Sequence, residues 1–152
     1  NIVINENLTS SKEISVDKQI VSLLFRSLLE NAVAFSKDEG GTITVTLKDV
    51  PQYSKEGGYS LEEASVLFVV EDTGIGIPKE DNETVFSRFS KAKNSRDSSF
   101  TGSGLGLYLV KTITEKIGSH VWFTSQKDIG TTFYIAFPLS GMKKKKGETT
   151  LD

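Results

Sequence analysis

The feature that most constrains the fold is the apolar run SVLFVVED, residues 65–72, which ends at the carboxylate of Asp72. A nearly continuous apolar run of this length predicts a central strand with both faces covered. The segment DTGIGIP begins at that carboxylate, and its glycines permit positive φ angles and close backbone approach to a ligand. A tight turn from strand to helix is the alternative interpretation. The run therefore predicts a sheet with a carboxylate and a pliable backbone at one end of its central strand.

The composition restricts the chemistry. The chain has 152 residues, which favours one domain. It has no cysteine, which excludes a disulfide framework, a cysteine-ligated zinc site and a cysteine nucleophile. The net charge of −2 gives no indication of nucleic-acid binding. Because the only methionine is Met142 and no apolar run approaches the roughly 20 residues of a membrane span, we expect a cytoplasmic piece of a longer protein, without direct membrane contact. The full-length protein can still be membrane-anchored.

The rest of the chain mixes strand and helix patterns without the regular βαβ order of a parallel sheet. Alternating apolar and β-branched residues predict strands at NIVINE, an edge, and at TITVTLKDV, HVWFTSQ and TTFYIAFPL. Glycine, proline and charge over residues 51–64 predict a surface hairpin or insertion. This order favours an α/β two-layer sandwich, a mixed and mostly antiparallel sheet packed on one face by about three helices. We assign residues 1–140 to this domain and 141–152 to a charged disordered tail or linker.

Helices are predicted on both sides of the central run. Asp17 fits as the N-cap of a helix that reaches about Phe35. LGLYLVKTITEKIG predicts another helix, ended by Gly118, and KEDNETVFSRF predicts a short one. The apolar stripe of the helix before Gly118 is predicted to contain Gly106, Leu109, Val110, Ile113 and Ile117.

An amide on the apolar arc of the first helix is a candidate ligand. Asn31 falls between Ile20 and Leu24 at about 100° per residue. An amide that faces the core is costly unless its donors and acceptors are matched. Asn31 therefore bonds either a backbone group or a ligand, and its oxygen suits a hard cation such as Mg²⁺. The residues alone leave both interpretations open.

Two glycine segments and the polar loop between them complete the pattern. Asp72 can accept a hydrogen bond from an amino group. In TGSGLGL, residues 101–107, backbone amides at a helix N-terminus suit a phosphate, with a glycine-rich hinge as the competing account. Phe86 and Phe89 lie one helical turn apart and can anchor a mobile loop, which either stays solvated or closes over a triphosphate. The cations of this loop are Arg88, Lys91, Lys93 and Arg96.

Taken in order, these segments resemble the GHKL ATP-binding family, and most closely the ATP-binding catalytic (HATPase_c) domain of sensor histidine kinases. SLLENAVAFS resembles their N box, DTGIGIP their G1 box, VFSRFSK their F box and TGSGLGL their G2 box. The similarity covers about residues 13–139. It implies a Bergerat fold with a flexible ATP lid, the cofactors ATP and Mg²⁺, and transfer of the γ-phosphoryl group to a histidine outside this fragment. The implied partners are the dimerisation and histidine phosphotransfer domain of the same protein and a response regulator receiver domain.

The resemblance also assigns roles position by position. Residues with a catalytic role would be Asn31, Ser27 and Lys91, and Asn31 would ligate the metal. Asp72 would accept from the adenine amino group, with Thr132 beside it. The residues implied to contact ATP are Asn31, Phe35, Asp72, Gly74, Gly76, Ile77, Val85, Lys91, Thr101, Gly102, Ser103, Gly104, Leu105, Gly106, Leu107 and Thr132.

Two positions depart from the family pattern. Ser27 stands where the family has an asparagine or an acid, and Ala34 stands where it has a basic residue. These departures keep one alternative open, a regulatory nucleotide-binding module without kinase activity. A conformational ATPase of the gyrase or chaperone type is a further alternative, but that class carries a glutamate at the position of Ser27, and its absence argues against steady hydrolysis. The single histidine, His120, begins a predicted strand and does not fit as the phosphoacceptor.

Overall fold

A five-stranded sheet with the order β1-β2-β5-β7-β6 organises the chain, which the computed structural model describes over residues 1–88 and 105–141. Strand β1 runs parallel to β2, and all other neighbours in the sheet are antiparallel. The predicted mixed, mostly antiparallel sheet is confirmed. The strands are β1 (Ile2–Leu8), β2 (Gly41–Val50), β3 (Lys55–Glu56), β4 (Tyr59–Ser60), β5 (Ser65–Asp72), β6 (His120–Gln126) and β7 (Gly130–Pro138), with β3 and β4 forming a separate hairpin.

Strand β5 is the central strand that the apolar run predicts. It lies between β2 and β7, and each of its residues except Glu71 is buried. Burial of an aliphatic side chain of this size stabilises the fold by roughly 1.5–3 kcal/mol. The position of β5 is therefore fixed by core packing on both faces, and Asp72 lies at the end of this buried strand.

Helix α1 (Lys18–Ala34) covers one face of this sheet. The Asp17 side chain accepts hydrogen bonds from the first-turn amides and caps the helix, as the sequence predicts. The residues that α1 buries recur every four positions and are Leu24, Leu28 and Ala32. Beside them, the ring of Phe25 stacks on Phe68 of β5 with the centroids 3.6 Å apart. This spacing fixes the rotation of α1, and with it the position of Asn31 on the flank.

Helix α2 (Gly106–Lys116) packs against the same face, but its buried stripe differs from the predicted one. Val110 and Thr114 are buried, whereas Gly106 is exposed and Leu109 is 44% exposed. Thr114 can occupy a core position because its hydroxyl donates to the carbonyl of Val110, 2.8 Å away. The prediction was therefore wrong at Gly106 and Leu109, since an internally bonded threonine took a place that an apolar residue was expected to fill.

The predicted short helix after Pro78 is shorter and tighter than expected. The structure has a 3₁₀ helix, Lys79–Thr84, with a backbone bond from the Asp81 amide to the Pro78 carbonyl. Phe86 follows it and meets Phe123 and Phe133 edge-on. Phe89 and the predicted tail after Gly141 lie outside the described residues. Within the part of the chain that is described, no helix is both long and apolar enough to span a membrane.

The hairpin β3–β4 covers the face of the sheet opposite the helices. The indole nitrogen of Trp122 donates to the Glu56 carbonyl at 3.0 Å, and the rings of Tyr59 and Tyr134 stack on Trp122. A second hydrophobic cluster lies beneath the hairpin, formed by Val50, Leu61, Leu67, Val69, Trp122 and Ala136. Residues 51–64 thus form the surface hairpin that the sequence predicts, and they bury a face that would otherwise be exposed.

We expect Gly57→Ala to destabilise the protein more than Gly58→Ala. Both glycines have positive φ, +53° and +79°, so both substitutions carry backbone strain of roughly 1–2 kcal/mol. A methyl group at position 57 would also lie 2.6 Å from the Tyr134 ring, whereas at position 58 nothing lies within 4 Å. We expect a further loss of roughly 1–3 kcal/mol in the free energy of unfolding for Gly57→Ala. Urea denaturation measures both variants, and equal losses would show that the hairpin does not pack on Tyr134.

Candidate functional site

Within the described part of the chain, hydrogen-bond donors reach Asp72 through only one of its two carboxylate oxygens. The side chain is buried, with 5% of its surface exposed. Its Oδ1 accepts from the amide of Gly74 at 2.9 Å and from the amide of Thr131 at 3.3 Å. Its Oδ2 accepts no hydrogen bond from any described residue. The carboxylate is therefore oriented by two backbone donors and retains an acceptor for a ligand.

Burial raises the pKa of Asp72 above its ordinary value. The hydrogen bonds from the amides of Gly74 and Thr131 act in the opposite direction, and the nearby charge of Glu71 adds to the increase. A carboxylate with a raised pKa costs the fold some stability when it is ionised. Such a cost at a strand end is typical of groups retained for binding.

The glycines after Asp72 let the backbone approach two other segments closely. A methyl group at Gly74 would lie 2.2 Å from the Phe35 carbonyl oxygen, which also accepts from the Ile75 amide at 3.0 Å. Gly76, at φ +67°, packs against Gln126, whose carbonyl oxygen would lie 2.1 Å from an added methyl group. The segment is thus held between the end of α1 and the turn joining β6 to β7. The contacts that require the two glycines are with the protein's own backbone.

The threonine beside Asp72 is Thr131, and the predicted placement of Thr132 there is wrong. In the antiparallel pairing of β5 with β7, Asp72 is opposite Thr131 and Glu71 is opposite Thr132. Directly opposed residues share a face, and successive residues alternate. Thr131 therefore lies on the helix-covered face with Asp72, while Thr132 lies on the other face.

Ser125 connects Thr131 to the glycine segment, and neither residue was predicted from the sequence. The Ser125 hydroxyl lies 2.8 Å from Thr131 Oγ1 and donates to the Gly130 carbonyl at 2.9 Å. It also accepts from the Ile77 amide at 2.8 Å. Thr131 could have been identified only with the register of β5 against β7, which pairs it with Asp72. Nothing in the sequence pattern indicates Ser125.

The amide of Asn31 is available at the flank of α1. Asn31 and Ser27, one turn earlier, are both half-buried. The Asn31 side chain makes no hydrogen bond to another residue within 1–88 or 105–141. In these residues, therefore, no backbone group is its partner. Lys37 follows Ala34, and its ammonium donates to the Asp128 carbonyl at 2.8 Å in the β6–β7 turn. Lys37 therefore ties the end of α1 to that turn.

The remaining predicted site residues divide into those in the described chain and those outside it. Ile77 and Val85 pack on the main hydrophobic cluster. Leu105 precedes α2, and Gly106 and Leu107 form its first turn; a methyl group at Gly106 would meet nothing within 4 Å. Outside the described residues lie Lys91, Thr101, Gly102, Ser103 and Gly104. Among described residues, no group of three or more His, Cys, Asp or Glu side chains could hold a metal ion.

The sequence of this sheet and its helices matches a family of ATPases. Residues 16–141 match the family of histidine kinase-, DNA gyrase B- and HSP90-like ATPases, and the chain belongs to that family. Within it, the relatives found are of the histidine kinase type. The sequence-based recognition and the predicted fold class are thereby confirmed.

Three relatives illustrate the similarity. The chain is 31% identical over 143 residues to the autoinducer 2 sensor kinase/phosphatase LuxQ of Vibrio cholerae, covering 94% of this chain and 16% of LuxQ. It is 32% identical over 126 residues to the sensor histidine kinase WalK of Bacillus subtilis, covering 82% of this chain and 19% of WalK. With the sensor protein kinase GraS of Staphylococcus aureus the identity is 31% over 124 residues, 81% of this chain and 31% of GraS. The chain thus spans less than a third of each relative.

Solved structures share the fold. The mycobacterial sensor histidine kinase MprB aligns with a TM-score of 0.72 and 26% identity, covering 93% of this chain and 86% of that one. The catalytic domain of the histidine kinase ThkA aligns with a TM-score of 0.64 and 22% identity, covering 90% and 79%. The arrangement of strands and helices is therefore that of histidine kinase catalytic domains.

Proposed function

We propose that this chain binds Mg-ATP and, within a longer kinase, transfers the γ-phosphoryl group to a histidine on another domain. The observation that carries the proposal is the half-satisfied carboxylate of Asp72. A buried acceptor, oriented by two backbone amides and without a described partner on its second oxygen, fits a hydrogen bond from an exocyclic amino group. Adenine carries such a group.

The residues around Asp72 suit a flat purine ring. Ile77 and Val85, which pack on the main hydrophobic cluster, would supply apolar contact to the ring from the segment that follows the glycines. Phe35 at the end of α1 and Thr131 at the start of β7 would flank the base on either side. Apolar walls with few polar contacts are typical of sites for small organic ligands. We assign the base to this end of the site.

The first turn of α2 and the Asn31 amide suit the charged end of the nucleotide. Backbone amides at a helix N-terminus favour an anion, and Gly106 leaves open space beside the first turn. The Asn31 oxygen is a suitable ligand for Mg²⁺, which usually takes most of its other ligands from phosphates and water. When bound, this ion would neutralise phosphate charge and orient the transferred group. We also assign Lys91 and the predicted residues from Thr101 to Leu107 to the phosphate end of the nucleotide.

The proposal extends to the longer protein. The sequenced relatives bear the names of sensor kinases, and this chain contains no histidine in a helical setting that could accept the phosphoryl group. We infer a dimerisation and histidine phosphotransfer domain in the same protein as its partner, and a response regulator receiver domain as the next acceptor. The cytoplasm, where ATP is available, is the location we assign to it.

Ser27 and Ala34 favour one competing function, a regulatory module that binds ATP without transferring phosphate. Ala34 supplies no charge, and Lys37 is engaged at the Asp128 carbonyl. A longer protein that includes the histidine domain would be incubated with γ-labelled ATP and Mg²⁺. We expect acid-labile, base-stable label on histidine, and loss of that label in Asp72→Asn but not in the exposed-site control Asp38→Asn. Binding of ATP without any phosphohistidine would support the regulatory module.

A further inference from the structure

Arg88 and Tyr108 make a double contact on the side of the site near α2. The guanidinium Nη2 of Arg88 donates to the Tyr108 hydroxyl at 2.8 Å, and the Cζ atom lies 4.7 Å from the centre of the tyrosine ring. The same contact lowers the pKa of Tyr108, and a hydrogen bond with Thr112 adds to the decrease. A charge-assisted hydrogen bond combined with a cation–π contact is more directional than either contact alone.

The Arg88 side of this contact is anchored in the sheet. Phe86, two residues earlier, meets the rings of Phe123 and Phe133 at centroid distances of 5.8 and 6.2 Å. Phe133 lies two residues along β7 from Thr131, whose amide binds Asp72. A short series of ring and backbone contacts therefore joins the carboxylate assigned to the base with the backbone that carries Arg88.

The Tyr108 side belongs to the first turns of α2. Tyr108 is two residues after Gly106, where the helix begins. Lys111, on the following turn, places its ammonium 5.8 Å from the centre of the Phe86 ring. The N-terminal part of α2 is thus tied at two points to the segment 86–88.

We propose that Arg88 and Tyr108 are positioning residues that set the N-terminus of α2 at the distance from Asp72 that a nucleotide must span. This inference rests on the proposed function, because it supposes that the base lies at Asp72 and the phosphates lie at α2. The pair acts through the helix and touches neither the base nor the reacting atoms. Loss of the Arg88–Tyr108 contact should leave binding of the base unchanged and weaken binding of the phosphates.

A different role for Arg88 makes the opposite prediction. An arginine this close to α2 could bind phosphate directly. In that case the bond to Tyr108 would compete with the nucleotide, and removal of the tyrosine hydroxyl would leave ATP affinity unchanged or increase it. The two roles are therefore distinguished by a change at Tyr108 and not at Arg88.

The test is calorimetric titration of the 152-residue chain with ATP, ADP and adenosine in the presence of Mg²⁺. Tyr108→Phe keeps the ring and removes the hydroxyl. We expect it to weaken ATP and ADP binding by roughly three- to tenfold and to leave adenosine binding unchanged. Tyr59→Phe is the matched control, because its hydroxyl contacts His120 at 3.4 Å on the opposite face of the sheet. Unchanged or tighter ATP binding by Tyr108→Phe would overturn the inference.

Two further readouts separate positioning from loss of structure and from failure of the proposed function. Arg88→Gln should raise the pKa of Tyr108 towards its ordinary value, which NMR of labelled tyrosine measures. The double variant Arg88→Gln/Tyr108→Phe should bind ATP no more weakly than Arg88→Gln alone. Additive losses in the double variant would contradict a coupled pair. If the unsubstituted chain binds neither ATP nor adenosine, the proposed function itself fails; if it binds both and Tyr108→Phe matches it, only this inference fails.

Discussion

Asp72→Asn is expected to weaken ATP binding roughly 100-fold or more while the fold is retained. Asparagine has nearly the same shape, and its oxygen can still accept from the amides of Gly74 and Thr131, as Asp72 Oδ1 does. The second position then holds an NH₂ group, which opposes the amino group of adenine donor to donor. Isothermal titration calorimetry measures the loss, and circular dichroism checks the fold.

The control for this substitution is Asp38→Asn, which removes the same charge at an exposed position between α1 and β2. We expect its ATP affinity to equal that of the unsubstituted chain. If Asp72→Asn also binds ATP with unchanged affinity, Asp72 does not recognise the base and the orientation of the nucleotide assigned above is wrong.

The pKa of Asp72 predicts the sign of the accompanying stability change. Because burial raises this pKa in the folded state, ionised Asp72 destabilises the fold at pH values above the raised pKa. Protonation removes that cost, which is absent below the ordinary value of 3.8. We therefore expect Asp72→Asn to be at least as stable as the unsubstituted chain at neutral pH, with an advantage that shrinks as the pH falls. Urea denaturation at several pH values would show this trend.

Asn31→Ala is expected to remove most of the effect of Mg²⁺ on ATP affinity. In the unsubstituted chain the ion would bind between the Asn31 oxygen and the phosphates, so ATP should bind more tightly with Mg²⁺ than with EDTA. In the variant we expect the two affinities to agree within about twofold, with Mg-ATP binding roughly tenfold weaker than in the unsubstituted chain. Alanine favours the helix, so α1 should remain intact.

Asn5→Ala provides the comparison for that experiment, because Asn5 is an exposed asparagine on the edge strand β1. Its dependence on Mg²⁺ should match that of the unsubstituted chain. An Asn31→Ala variant that needs the ion as strongly as before would show that another residue holds the metal.

The parts of this fold that follow from local periodicity were predictable from the sequence. The continuous apolar run identified the buried strand β5, and the Asp17 cap identified the start of α1. The errors arise where a side chain satisfies itself or where two strands must be aligned. Thr114 replaced an expected apolar residue by bonding within its own helix, and the choice between Thr131 and Thr132 depends on the register of β5 against β7. Neither property is encoded in the order of apolar and polar residues.

The sequence predicted the candidate site as a set of segments but not as a set of contacts. Order along the chain led to the prediction that Asn31, Asp72 and the glycines act together. It gave no indication that Ser125 bridges two backbone segments or that Arg88 binds a tyrosine 20 residues away. Contacts of this kind depend on side-chain direction after folding.

If Asp72 binds the base as proposed, the close packing of Gly74 and Gly76 limits how this protein could change its choice of nucleobase. Both positions are pressed against neighbouring peptide groups, so neither can acquire a side chain that reads a different ring. A preference for guanine over adenine would have to arise at Asp72 itself or through a shift of β5 against β7. Under the proposed function, the identity of the base would thus depend on one side chain, that of Asp72, set among closely packed peptide groups.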